Sequence, residues 1–163
     1  MSTIATLVVG VDGSTTKNSN STGITSVTDR AAFLARRKLV DCILIGGSTA
    51  RNEPYQRTPV PLIILSRSTV NPVPNNSMSH LWNIAAPLAI VEAQKIFGAN
   101  ILVEGGIALI NVLLQENLID RLELSVTKAI GGENCIDYRA LLAKFKYSEC
   151  TTIADTEFYV AKN

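Results

Sequence analysis

The sequence predicts an α/β domain on a mixed sheet, from three features. The runs TIATLVVGV, DCILIG and PLIILS, and a fourth, NILVEG, are apolar and rich in β-branched residues. Their apolar character is continuous, the pattern of strands covered on both faces in a largely parallel sheet. Segments of helical spacing alternate with them. Beyond residue 121 the pattern becomes alternating, as in RLELSVTKAIGG, which predicts late strands with antiparallel pairing.

In chain order, TIATLVVGV is the first strand. TDRAAFLARRKL sets Ala32, Phe33, Arg36 and Leu39 at helical spacing, with Thr28 or Asp29 as the expected cap. DCILIG and PLIILS are the next two strands. STVNPVPNNSMSH, including His80, reads as loop because proline and asparagine break any period. APLAIVEAQKIFG has proline near its start and Gly98 just past its end, the expected helix punctuation. NILVEG runs through a double glycine into the helix ALINVLLQENL, and EFYVAKN closes the chain as a strand. No linker, repeat or low-complexity tract divides residues 1–163, so a single domain is expected.

With 163 residues, 47% of them apolar, and a net charge of +1, the composition points away from disorder and from a nucleic-acid partner. No apolar run has the length of a membrane span. MSTIATLVVGVDG lacks a basic leader and cleavage site, so a cytoplasmic protein is expected. Cys42, Cys135 and Cys150 are widely spaced and read as buried, reduced thiols. With His80 the only histidine, no Cys/His metal site is expected.

Two strand-to-helix junctions carry the chemistry. A strand ending in Gly105-Gly106 and feeding a helix offers unobstructed N–H groups at a positive helix end, an arrangement suited to phosphate; alone it is also an ordinary tight connection. DCILIGGSTARNE repeats the scheme: Gly46-Gly47, then Ser48 and Thr49 placed to cap a helix and donate hydroxyls. Ligands of open α/β sheets bind at this carboxyl side of the strands. PLIILSRS adds Ser66 and Arg67 at a third strand end, where an arginine suits a monoester phosphate such as the 2′-phosphate of NADP. Together the three favour a dinucleotide. VVGVDGSTTKNS is set aside as a phosphate loop, because Thr15 stands where a Walker loop needs glycine.

Five segments, GVDGST, TGITSVTDRAAFLARR, DCILIGGSTARNEP, LIILSR and ILVEGGIALINVLLQENLIDRLEL, follow one another over most of the chain. In this the sequence resembles the pyrimidine reductases of riboflavin biosynthesis, V-E-G-G followed by a helix and L-I-D-R-L being the most specific part. The resemblance implies a dihydrofolate-reductase-like, three-layer α/β/α fold with a mixed, mostly parallel central sheet and antiparallel C-terminal strands. It implies an NADPH-dependent oxidoreductase that reduces the ribosyl group of 5-amino-6-(5-phosphoribosylamino)uracil, or a close analogue, to the ribityl form.

By position, the resemblance places NADPH on Gly47, Ser48 and Thr49, on Ser66 and Arg67 at the 2′-phosphate, and on Gly105, Gly106, Ile107 and Ala108 at the pyrophosphate. It places substrate on Ser21, Arg37, Arg57 and Glu104, with Glu104 and Glu53 as catalytic candidates, no metal, and a homodimer as the assembly. Arg37 also has a reading without a ligand, as a basic helix end stabilising its own dipole. Turn formation for Asp12 and capping for Asp29 are the expected duties of those two carboxylates. The chain departs from the family's pattern at Gly10, usually serine, and at Gly23, usually tryptophan. A dihydrofolate or pterin reductase of the same fold, with Asp29 as the acid on its first helix, and a non-catalytic NADP-binding homologue are the alternatives. The zinc-deaminase motifs of bifunctional members do not occur in this sequence.

Overall fold

The computed structural model describes residues 1–163, which form two compact units. The first comprises Met1–Ala5 and Ala35–Asp120, the second Thr6–Leu34 and Arg121–Asn163. Strand β1 (Ser2–Gly10) contributes residues to both, as does helix α1 (Val27–Arg36).

In the first unit follow β2 (Cys42–Gly46), α2 (Gly47–Asn52), β3 (Leu62–Leu65), β4 (Ser79–Trp82), α3 (Ala86–Ile96), β5 (Asn100–Glu104) and α4 (Ile107–Gln115). The strand order is β4-β3-β2-β5-β1, with β2 parallel to both β3 and β5 and β3 parallel to β4. Ile43, Leu44, Ile45, Leu62, Ile63, Ile64, Ile101, Leu102 and Val103 are all fully buried, side chains of both pleat faces included. Both faces are therefore covered, as continuous apolar strands require. Each such side chain contributes roughly 1.5–3 kcal/mol by leaving water.

In the second unit come β6 (Arg121–Thr127), α5 (Tyr138–Leu142), β7 (Tyr147–Ile153) and β8 (Thr156–Lys162), in the order β1-β6-β8-β7. β8 is antiparallel to β6 and to β7. The parallel strands, the antiparallel late strands and the interspersed helices are the dihydrofolate-reductase-like α/β fold that the sequence predicts. None of the helices is long and apolar enough to cross a membrane.

Several local expectations are corrected. Helix α1 is capped by Ser26, whose hydroxyl accepts the Asp29 N–H at 3.1 Å, because the helix begins at Val27, ahead of Thr28 and Asp29. Asp29 supplies the third helical position and accepts from the Thr25 hydroxyl. Ser48 and Thr49 do not cap α2: the N-cap is Gly46, without a side-chain bond, and both hydroxyl residues lie inside the first turn. Ser79 and His80 belong to β4, not loop, since His80 pairs with Ile63 and packs its ring 5.0 Å from that of Phe97. Helix α5 and strand β7 were not anticipated.

The cysteines also differ from expectation. Cys42 is fully buried on β2, where burial pushes its thiol up to about 12, whereas Cys135 and Cys150 are exposed. Cys150 is on β7, an edge strand with no buried residue. A thiol reagent at pH 8 should therefore modify two cysteines of the native protein and the third only in denaturant; fast reaction of all three would contradict the packing of β2.

Candidate functional site

The site grows from the register of the first unit. Gly46 pairs with Leu65 across β2 and β3, and Leu44 with Val103 across β2 and β5. Continuing the second pairing brings Gly105 level with Gly46. Three strands thus end together, and their C-terminal residues lead into Gly47 of α2, Ser66 and the Gly105-Gly106 turn.

Side chains confirm the juxtaposition. A methyl group placed on Gly47 would lie 2.9 Å from Ser66 Oγ and 3.2 Å from Arg51 Nη1. One on Gly105 would lie 3.4 Å from Thr49 Cγ2, and one on Gly106 3.5 Å from Thr49 Oγ1. Gly47, Thr49, Ser66, Gly105 and Gly106 are thereby brought together. Gly105 and Gly106 have φ of +62° and +72°, two successive residues in the left-handed region, where side chains are disfavoured. Helix α4 starts immediately after them with neither a side-chain cap nor an acid in its first turn. Its first N–H groups have no partner within the helix, and the helix dipole adds positive potential there.

Ile107 is half-buried and Ala108 exposed in that first turn. Ser48 is exposed, its hydroxyl 3.4 Å from Asn52 Nδ2. Arg67 is exposed just beyond β3, and the Ser66 hydroxyl accepts the Ser68 N–H at 3.1 Å. Arg57 is exposed between α2 and β3. Glu53 is half-buried and closes α2, its N–H donating to the Thr49 carbonyl at 3.0 Å. Ser21 lies in the second unit, where its carbonyl accepts from the Ile24 and Thr25 N–H groups.

Arg37 and Glu104 are brought together, with each other. Arg37 donates through Nε to Oε1 at 2.7 Å and through Nη2 to Oε2 at 2.6 Å, a bidentate pair whose side chains are 6% and 1% exposed. Tyr55 donates its hydroxyl to Oε2 at 2.7 Å, and the guanidinium lies 4.9 Å from the Tyr55 ring centroid. Arg37 is thus neither a solvent-facing phosphate ligand nor a helix-end surface charge. Burial alone would lower its proton affinity, but the Glu104 carboxylate reverses the direction and raises it. Burial, reinforced by Glu104, holds the Tyr55 phenol well above its ordinary value, so it remains a donor.

Sequence reasoning missed Tyr55 and Arg51. A tyrosine in an irregular stretch gave no periodic signal, but its place in NEPYQR, amid the polar turn, could have flagged it. Arg51 falls on α2, one turn along from Gly47, a spacing that places it against the glycine.

In the second unit, the altered family positions are filled by packing. A side chain on Gly10 would collide with the Ala129 carbonyl, and one on Gly23 would come 2.9 Å from Lys17 Cβ. Asp12 accepts from Ser14 and from the Gly131 N–H, the turn duty expected of it; these hydrogen bonds, Ser14's first, lower its pKa.

A largely parallel sheet followed by antiparallel C-terminal strands, with helices between them, defines an α/β domain of the dihydrofolate-reductase type. The RibD C-terminal domain family matches residues 2–156, and the chain belongs to that family. No curated protein matches it by sequence. Among solved structures, it is similar to a pyrimidine reductase-like protein from Corynebacterium diphtheriae, at TM-score 0.71 and 15% identity over 99% of this chain and 91% of that one. It is similar to the Thermotoga maritima diaminohydroxyphosphoribosylaminopyrimidine deaminase/5-amino-6-(5-phosphoribosylamino)uracil reductase, at 0.71 and 15% over 99% of this chain and 56% of that one. Acinetobacter baumannii RibD follows at 0.68 and 14%, over 99% and 57%. The chain thus spans just over half the length of the last two.

Glu104→Gln would leave the buried Arg37 charge without its counter-ion. We expect a loss of about 3–5 kcal/mol, read by urea unfolding; a loss near zero would contradict the buried pair. The raised Tyr55 and Cys42 values predict alkaline instability. The native state keeps these protons after the unfolded chain loses them, so both contributions are full below the ordinary values of 9.0 and 10.0 and fall as pH rises. Unfolding midpoints should hold from pH 7 to about 9 and decline above; a rise there would refute the burial of these groups.

Proposed function

We propose that this chain is an NADPH-dependent reductase of riboflavin biosynthesis, reducing the ribosyl group of 5-amino-6-(5-phosphoribosylamino)uracil or a close analogue. What carries the reading is the convergence of three level strand ends on a side-chain-free turn, in a chain of the RibD C-terminal family. The residues present fit the cofactor: Gly105 and Gly106 leave backbone open beside the α4 N-terminus, and the nearby cations suit phosphate. When bound, NADPH supplies the hydride.

In this reading Gly105, Gly106, Ile107 and Ala108 hold the pyrophosphate through main-chain N–H groups. Gly47, Ser48 and Thr49 form the facing wall. Ser66 and Arg67 take the 2′-phosphate, and Arg51 adds a cation at Gly47. Arg57 binds substrate, supplying charge for its phosphate. Glu53 is the candidate proton donor. Arg37 and Glu104, buried against one another, shape the site from behind. A homodimer completes the reading, with exposed β7 as the edge a second copy would pair with; a monomeric mass in solution would remove that part.

A second reading, reduction of a pterin, is favoured by one observation: Asp29 is a carboxylate only 5% exposed on α1. Turnover decides between them. NADPH oxidation should follow addition of the ribosylaminouracil phosphate and not of dihydrofolate; the reverse would establish the pterin reading. Thr49→Asp, placing a negative charge against Gly105-Gly106, should weaken NADPH binding at least tenfold by titration calorimetry. An unchanged dissociation constant would rule out this cradle.

A further inference from the structure

Tyr55 sits between α2 and β3, outside regular structure, yet is only 3% exposed. Its ring packs in a core cluster with Val40, Ile43, Ala50 and Val73. Its main-chain carbonyl accepts from Asn76 Nδ2 at 2.9 Å, and Asn76 is itself buried. Both ring and backbone are therefore held, and the hydroxyl is delivered to Glu104 from a fixed point.

Glu104 is the last residue of β5, and the next two residues have positive φ. An ionised carboxylate offers about four acceptor positions. Arg37 Nε takes one on Oε1, and Arg37 Nη2 and the Tyr55 hydroxyl take two on Oε2. With its side chain 1% exposed, Glu104 presents almost nothing to a ligand. Its position matters more: whatever fixes Glu104 fixes where the chain leaves β5, and so where Gly105 and Gly106 lie against Thr49.

We propose that Tyr55 is a positioning residue for the Gly105-Gly106 turn: its phenol and ring hold Arg37 and Glu104 in one arrangement, and Glu104 in turn sets the turn. The link to cofactor rests on the NADPH reading above; the geometric part does not. Tyr55→Phe tests both, since it keeps the ring, its packing and the Asn76 bond and removes one hydroxyl.

In amide NMR spectra of the protein without cofactor, the Gly105 and Gly106 signals should move and broaden in Tyr55→Phe. Gly131, another positive-φ glycine but in the second unit, should stay unchanged. The NADPH dissociation constant should rise, because a turn that is no longer held must be ordered when the cofactor binds. A lower melting temperature with unmoved glycine signals would mark a merely structural residue and overturn the proposal. So would a raised KM for the pyrimidine substrate with NADPH affinity and glycine signals unchanged, which would make Glu104 a substrate contact. If the wild type fails to bind NADPH, the cofactor reading falls, and the glycine signals alone decide the role of Tyr55: movement supports it, stillness overturns it.

Discussion

The parallel register of β2 with β3 and β5 is the constraint on which the candidate site depends. Close packing on both faces holds it, because a one-residue slip would turn every side chain of a strand to the opposite face and into a differently shaped set of neighbours. With Gly46 opposite Leu65 and Leu44 opposite Val103, the three strands stop within one residue of a common level. Their following residues then meet at a single edge, where a ligand could touch all three. The glycines make that edge usable: at Gly47 a side chain would strike Ser66, and at Gly105 and Gly106 the backbone runs through conformations that disfavour side chains.

Behind this edge the polarity is handled in a different way. Arg37, Glu104 and Tyr55 sum to zero charge and satisfy one another away from water. Such a cluster is weak evidence for stability, because hydrophobic groups of equal volume would often serve as well. What it supplies is definition: a bidentate fork, a stacked ring and a hydroxyl admit few alternative geometries. Arg51, Arg57 and Arg67, by contrast, are exposed and keep their charge in solvent.

Much of the fold was legible because burial writes itself into composition. The strands β2, β3 and β5 read as unbroken apolar runs, and α3 carried its proline and its glycine. β7 was invisible for the same reason: YSECTTI has no buried residue, so its identity comes from pairing with β8 alone. The double-glycine turns were legible as backbone devices, and in the structure Thr49 lies against Gly105 and Gly106. Arg37 and Glu104 were picked out as residues, but their pairing was not, since two positions 67 apart carry no periodic relation. Tyr55 escaped altogether, as its function depends on a contact across the fold and not on a neighbour in sequence.

The most direct measurement is a crystal structure of the protein grown with NADPH. The account predicts the pyrophosphate against Gly105 and Gly106 at the start of α4, with the adenosine 2′-phosphate beside Ser66 and Arg67. Cofactor bound at another edge of the sheet, or a glycine turn closed over by side chains, would contradict it.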